Sequence, residues 1–240
     1  MTKADSTSRV VTARHPAASS RRAAPSTPTA ETTETNRDRV SRRQIDKFSQ
    51  RRDELAEAAL QTLAELGYAR TSLREIAQNS TFSHGVLHYY FSDKVDLITH
   101  CVKHYKAICV LRYDQILADA AAADGLARGF AEGLAATARE DAALHRLWYD
   151  MRSQSMFEPA FRKDVLEIDD SLERMIWRIV SRYAELGGRT PAVDSSAAYA
   201  VFDGLFQQSL LRHISGSAEA LDDMAARVLE LLPKLVNTAT

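Results

Sequence analysis

The sequence is poor in the features that build disulfide scaffolds and membrane spans. Its 240 residues include two cysteines, Cys101 and Cys109, which are too few for a disulfide framework. No apolar run approaches the roughly 18 to 20 residues that cross a bilayer. The first twenty residues also lack the continuous apolar core of a secretory signal. We therefore expect a protein of the reducing cytoplasm with no membrane partner.

Enzyme motifs are missing as well. The sequence has no phosphate-cradling glycine loop, no G-x-S-x-G elbow and no H-E-x-x-H. His100 and His104 have the i, i+4 spacing at which histidines can share a metal, and Cys101 lies beside them. Cys109 lies about 80° from Cys101 around an ideal helix, so no fourth ligand is identifiable. We expect no enzyme activity, no cofactor and no metal site.

The charge that is present is unevenly distributed. The whole chain has 31 Lys/Arg and 32 Asp/Glu, whereas residues 1–52 alone carry 12 Lys/Arg and 5 Asp/Glu. Residues 1–44 are rich in Ser, Thr, Ala, Pro and Arg and have few large apolar side chains, which predicts a disordered basic arm. Basic arms are typical of nucleic-acid binding. A solvated tail and, with lower rank, a transit peptide remain alternatives.

From Ile45 onward the pattern is helical. Leu55, Ala59 and Leu63 form one apolar stripe, and Gly67 supplies a stop after them. Further apolar repeats with a period near 3.6 continue toward the C-terminus, with no convincing strand. The sequence therefore predicts an all-α protein, with a small three-helix domain at 45–92 and a larger helical domain at 93–240.

Two short helices around a turn stand out in the segment TSLREIAQNSTFSHGVLHYYFSDK, residues 71–94. Ser72 and Ser83 are suited to cap the two helices, and the spacing is that of a helix-turn-helix. The second helix has no Lys or Arg. Its outward residues are short or flat, and Gly85 would let its backbone come close to another backbone. Such a helix is suited to pressing into a major groove, provided that phosphate contacts come from elsewhere.

This segment resembles the signature of the TetR family of bacterial transcriptional regulators. The similarity extends over about residues 47–236, but it is specific only in the front motif. The rear segment AVFDGLFQQSLL is similar to the penultimate helix of that family. The matching positions of the motif are Gly67, Tyr68, Thr71, Ser72, Ile76, Ala77, Ser83, Gly85, Leu87, Tyr89, Phe91 and Lys94.

The resemblance implies a homodimeric repressor of palindromic operator DNA. In the implied DNA complex, contacts with base edges are expected from Ser83, His84 and Val86. Gly85 is expected to let the second helix lie close to the DNA, and Ser72 and His88 are also expected to face the DNA. Phosphate contacts are expected from Arg42, Arg43, Lys47, Thr71, Tyr89 and Lys94.

The resemblance also implies a rear domain that binds a small molecule and forms the dimer. A mainly apolar effector is expected in a pocket of Tyr105, Trp148, Met151, Arg152, Met175 and Phe202. A seam between protomers is expected at Tyr199, Phe206, Leu210, Leu221 and Val228. The alternative is an all-α small-molecule binding or carrier protein in which the front helices only pack.

The motif departs from the family pattern in its turn. Thr81 stands where the family has glycine, and Ser80 stands where it has alanine. We expect either a left-handed Thr81 or a rebuilt turn. The operator sequences of relatives are not carried over to this chain.

Overall fold

The computed structural model describes residues 36–68 and 70–238, and this part of the chain is almost entirely helical. Its one strand-like contact is an isolated antiparallel bridge between Pro191 and Val236. No helix of the described residues has the length and apolar character needed to cross a membrane. The α-helices are α1 (Asn36–Leu66), α2 (Leu73–Gln78), α3 (His84–Tyr90), α4 (Lys94–Asp119), α5 (Ala123–Glu140), α6 (Ala142–Gln154), α7 (Arg162–Leu186), α8 (Ser195–Ile214) and α9 (Ala220–Leu231).

Most helix ends lie where local sequence chemistry predicts them. Gly67 ends α1 with a φ of 73°, a conformation that glycine adopts without a Cβ penalty. Asp194 caps α8, its carboxylate accepting a hydrogen bond from the Ala197 amide at 2.8 Å. Helix α4 begins at Lys94. Asp93 is the cap, because its carboxylate accepts from the Asp96 amide at 2.9 Å.

Helix α1 begins earlier than the sequence pattern predicts. It runs from Asn36, whereas the sequence pattern placed residues 36–44 in the basic arm. This stretch is rich in Arg and includes Gln, both good helix formers, and it continues into a helix that packs on the core. The rest of the predicted arm, residues 1–35, lies outside the described residues.

The core runs through the helices without a break between the predicted domains. Residues from Ser41 onward belong to one compact unit. Its buried apolar residues extend from Leu55 and Leu63 of α1 through Trp148 of α6 to Val228 of α9. A division at residue 92 therefore stays a prediction. What positions the site is the packing of α1 to α3 against the start of α4 and against α6.

Candidate nucleic-acid interface and ligand cavity

Helices α2 and α3 are short and depend on caps and packing for their stability. The Ser72 hydroxyl accepts from the Glu75 amide at 3.2 Å, and the Ser83 hydroxyl accepts from the Val86 amide at 3.3 Å. Inward, Leu73 and Ile76 of α2 and Leu87 of α3 are buried. The capping prediction for both serines is confirmed, and it fixes which face of α3 points outward.

The turn between α2 and α3 is closed by side chains. The Ser80 hydroxyl accepts a hydrogen bond from the Phe82 amide at 3.3 Å, and Asn79 Nδ2 donates to the Glu75 carbonyl at 2.9 Å. A serine hydroxyl that bonds the amide two residues on stabilises a turn directly. The unusual serine next to Thr81 is thus part of how this chain builds the turn.

The outer face of α3 is exposed and carries no cation. Ser83, His84, Gly85, His88 and Tyr89 are exposed, and Tyr89 keeps 72% of its surface. The Nε2 atoms of His84 and His88 lie 3.1 Å apart, so the two imidazoles form a joined polar edge.

Two further features shape this face. Val86, predicted to read a base, is half-buried against the core. A Cβ built on Gly85 would meet nothing closer than Ser83 Oγ at 4.0 Å, so the chain's own packing does not require this glycine. A need for glycine here would therefore have to come from outside the chain.

An aromatic cluster joins α3 to the cationic part of α1. The Phe48 ring lies 6.3 Å from Tyr89 and 4.9 Å from Tyr90, measured between centroids. Lys47 precedes Phe48 and, like Arg42 and Arg43, is exposed. This cluster was not predicted, although an apolar Phe48 among charged residues was its signal. The packing brings the basic segment of α1 to the edge of α3.

Two predicted phosphate contacts have partners inside the protein. Thr71 is 4% exposed, and its hydroxyl donates to the Gly67 carbonyl at 2.6 Å. The hydroxyl closes the α1–α2 turn, and the phosphate contact of Thr71 stays a prediction. Lys94 Nζ donates to the Tyr68 carbonyl at 3.1 Å and lies 4.0 Å from the centre of the Tyr68 ring. Its phosphate contact stays a prediction, beside an anchoring role that sequence reasoning missed.

The histidines of α4 face acidic residues of α1. His100 Nε2 lies 2.8 Å from an Asp53 carboxylate oxygen, and His104 Nε2 lies 3.2 Å from one of Glu57. Burial lowers the pKa of His100, with Asp53 opposing that change. Cys101 is fully buried and directs its Sγ to the Ala56 carbonyl. In the described residues, no group of His, Cys, Asp or Glu is arranged to hold a metal.

A narrow cavity lies among the helices of the rear part. It holds about 460 Å³ of empty space, of which about 50 Å³ admits the centre of a water molecule. Its apolar wall is supplied by α5, α7 and α8. The wall includes Leu134, Leu172, Met175, Ile176, Phe202 and Phe206.

One side of the cavity is polar. Lys106, His145, Trp148, Tyr149, Tyr199 and Asp203 line it. The Lys106 ammonium, which has hydrogens only to donate, lies 3.1 Å from His145 Nδ1. His145 Nε2 therefore carries the ring proton and donates to the Tyr105 hydroxyl at 3.1 Å. Burial lowers the pKa of Lys106 to about 8, and burial with the nearby Lys106 charge holds the pKa of His145 well below its usual range.

Three of the six predicted pocket residues, Trp148, Met175 and Phe202, line this cavity. Tyr105 lies behind His145, and Met151 is fully buried in the core. Arg152 does not line the cavity, but it forms ion pairs with Asp203, which does, and with Asp169. Lys106 was missed, although a lone cation among the buried Val102, Cys109 and Tyr113 of α4 was a readable signal.

The predicted dimer seam is mostly core of the single chain. Phe206, Leu210, Leu221 and Val228 are between 0% and 7% exposed. Their place at an interface stays a prediction, and within the single chain the apolar stripe of α9 packs against α5 and α8. Tyr199 is half-buried and donates its hydroxyl to an Asp169 carboxylate at 2.6 Å. A pattern of apolar positions does not reveal whether the partner helix belongs to the same chain.

Helix α6 lies between the cavity and the helix-turn-helix. On one side it gives His145, Trp148 and Tyr149 to the cavity. On the other side Arg146 donates to the Ala64 carbonyl at the end of α1, and Asp150 accepts from the Tyr68 amide at 3.0 Å. Helix α6 therefore contacts both the cavity and the turn that leads into α2.

Comparison with known proteins agrees with this arrangement. Residues 55–101 match the model for bacterial regulatory proteins of the tetR family. The HTH-type transcriptional regulator BetI of Burkholderia mallei is 28% identical over 183 residues, which cover 73% of this chain and 87% of BetI. The HTH-type transcriptional repressor AcnR of Corynebacterium diphtheriae is 25% identical over 194 residues, covering 80% and 95%.

A solved structure extends the likeness to the fold as a whole. A transcriptional regulator from Saccharomonospora viridis, determined in complex with choline, superposes with a TM-score of 0.65 at 18% identity and covers 78% of this chain and 98% of that one. At this identity the likeness concerns the fold alone. The capped α2–α3 unit and the matched signature show that residues 55–101 form the helix-turn-helix domain of the TetR family, and the chain resembles transcriptional regulators of this kind over most of its length.

Proposed function

We propose that this regulator is a homodimeric repressor that binds palindromic operator DNA through α3 and is released by a small, mainly apolar effector. Its place of action would be the bacterial cytoplasm, at the nucleoid. The observation that carries the proposal is the position of α6, which gives side chains to the cavity and to the end of α1. The alternative, a carrier protein without DNA readout, gives no reason for the exposed polar face of α3.

In the proposed complex, affinity and readout come from different helices. Arg42, Arg43 and Lys47 on α1 supply charge for phosphates, which contribute most of the affinity of DNA binding. The Phe48 contact with Tyr89 keeps this segment beside α3. Base edges are then read by Ser83 and His84, whose side chains are short or flat enough for a helix held close to the groove.

Replacement of His84 by alanine tests the readout. We expect operator affinity to fall by about 5- to 100-fold, because one good contact to a base edge contributes about 1–3 kcal/mol of discrimination. The preference for one base in each half-site should also disappear, as measured by competition with operators altered at each position. His213→Ala, at the far end of α8, is the control. Equal loss of affinity for all sequences would make His84 a phosphate contact and not a reader.

The dimer is proposed on the exposed side of α8 and α9. Leu211 is 62% exposed, Ile214 45% and Leu229 41%. Gly204 and Gln208 extend the same exposed row of α8 toward its middle. These residues replace the buried ones of the sequence prediction. A two-fold arrangement of such a surface would place two α3 helices for half-sites about 34 Å apart or a multiple of that distance.

The effector is proposed to occupy the narrow cavity. Aromatic and aliphatic side chains make up most of its wall, which suits a small apolar body. The choline found in the Saccharomonospora viridis regulator is not carried over as the ligand here. A quaternary ammonium would meet the buried Lys106 ammonium, and like charges repel strongly in an apolar cavity.

Replacement of Arg146 by glutamine tests the coupling through α6. We expect operator affinity without effector to stay within about 3-fold of the wild type, since the α3 surface is untouched. Effector-induced release should weaken by about 5- to 100-fold, the usual range of a coupling free energy between sites. The measurement is operator-binding anisotropy with and without an effector found by screening. Arg139→Gln on α5 is the control, and unchanged release in Arg146→Gln would exclude this route.

Selection of bound sequences from a pool of random duplexes tests the function as a whole. The proposal predicts recovery of an inverted repeat, bound by two protomers per duplex, with half-site centres about 10 base pairs apart or a multiple. Recovery of no enriched sequence at low salt would favour the carrier alternative. Recovery of a single half-site bound by one protomer would contradict the homodimer.

A further inference from the structure

We propose that the effector of this cavity carries a carboxylate, bound between the Lys106 ammonium and the Trp148 indole N–H, on an otherwise apolar body. The inference rests on the proposed function, since it names the chemical class of that effector. It is argued from buried groups in the cavity wall whose hydrogen bonds are incomplete.

The first group is Lys106. It is 5% exposed and lines the cavity, and the hydrogen bond that the structure gives its ammonium is to the neutral ring of His145. An ammonium has three N–H donors, so in the described part of the chain two remain. A buried cation is costly unless an anion or further acceptors meet it. The cavity is the space from which such an acceptor can come.

The second group is the Trp148 indole. Trp148 is 1% exposed and also lines the cavity. Among the described residues, its buried Nε1 has no hydrogen-bond partner. An indole nitrogen only donates, and a buried donor without a partner typically costs about 1–3 kcal/mol. Lys106 Nζ lies 5.5 Å from the Trp148 ring centre. A single ligand group with two oxygen atoms can therefore accept a hydrogen bond from each of these two donors.

Asp203, the carboxylate in the cavity lining, is not available to pair with a cationic ligand. Asp203 pairs with Arg152 and accepts a hydrogen bond from the Tyr149 hydroxyl at 3.0 Å. Its charge is thereby satisfied inside the protein. Lys106 keeps a positive charge at neutral pH, which attracts an anion. A carboxylate presents two acceptor oxygens and no donor, which complements two donors and one positive charge.

Binding of three eight-carbon probes to the full-length protein tests the inference. Octanoate, 1-octanol and octyltrimethylammonium share an apolar body and differ in the head group. By isothermal calorimetry without DNA, we expect octanoate to bind at least about 10-fold more tightly than 1-octanol, since a hydrogen bond to a charged group contributes about 1.5–3 kcal/mol. We expect octyltrimethylammonium to bind more weakly than both.

Two variants localise the head group. Lys106→Met should weaken octanoate binding by about 10- to 100-fold and leave 1-octanol within about 2-fold. Trp148→Phe keeps an aromatic ring but removes the N–H, and it should weaken octanoate binding by about 3- to 10-fold. Lys103→Met is the matched control on the same helix, because Lys103 pairs with Asp164 and Glu167 outside the cavity. Thermal unfolding of each variant confirms that it is folded.

Several results would overturn the inference. They are tighter binding of the ammonium probe, equal binding of octanoate and 1-octanol, or unchanged octanoate binding in Lys106→Met. Failure of butanoate, octanoate and dodecanoate alike to bind the folded protein would also overturn it. None of these results depends on DNA. A protein that selects no operator but shows the Lys106-dependent preference would overturn only the regulatory role of the ligand.

Discussion

Replacement of Gly85 by leucine is expected to weaken operator binding by about 100-fold, because a bulky side chain would occupy the space where α3 approaches the groove. One mismatched base pair in a specific site typically costs about 1–3 kcal/mol, and displacement of α3 from the groove is expected to cost an amount at the upper end of that range. The free protein should not lose stability. A Cβ at Gly85 meets nothing closer than 4.0 Å, and leucine is favoured over glycine in a helix by roughly 0.5–1 kcal/mol.

Paired measurements of anisotropy and thermal unfolding check this result, with Gly125→Leu as the control. Gly125 is an exposed helical glycine of α5 whose added Cβ also meets nothing within 4 Å. The control should gain stability and bind the operator normally. Normal operator binding by Gly85→Leu would show that α3 does not approach DNA closely.

Replacement of Lys106 by methionine is expected to stabilise the free protein by about 3 kcal/mol at pH 7. Burial of the ammonium lowers the pKa of Lys106 from 10.5 to about 8. A pKa that differs by one between the folded and unfolded chains corresponds to about 1.36 kcal/mol of stability. Lys106 is protonated in the unfolded chain up to pH 10.5 but sheds its proton in the folded chain above about pH 8. The wild type should therefore become more stable as pH rises through this window.

Denaturant unfolding at pH 7 and pH 10 measures this effect. The advantage of Lys106→Met should be largest below pH 8 and fall to about 1 kcal/mol at pH 10, where most of the wild-type penalty has gone. The Lys103 ammonium of the wild type is partly exposed in surface ion pairs. Lys103→Met should therefore show no such pH dependence. A variant less stable than the wild type at pH 7 would mean that the protein itself compensates the Lys106 charge.

Several helix ends of this fold could be predicted from the sequence, because they depend on local chemistry. The stop at Gly67 and the caps at Ser72, Ser83 and Asp194 follow from backbone geometry and from orphan amides that any helix start leaves. The start of α1 was not readable, because charged residues with good helix propensity occur in disordered arms as well.

Long-range partners were not readable in the same way. Val228 and Leu221 were predicted at an interface, yet they pack inside the chain, since periodicity marks an apolar face but not its partner. The hydrogen bond from the Thr71 hydroxyl to the Gly67 carbonyl was likewise not predicted. The link from Arg146 and Asp150 to the end of α1 joins residues about 80 positions apart. Local patterns carry no signal for such a contact.

We propose that a helix without Lys or Arg reads the operator. The structure of the protein bound to its selected duplex measures this most directly, through the distance from the His84 imidazole to the nearest base edge. We expect about 3 Å, within hydrogen-bond range in the major groove, with Arg43 or Lys47 on neighbouring phosphates. An α3 helix that lies outside the groove, with His84 facing solvent, would contradict it.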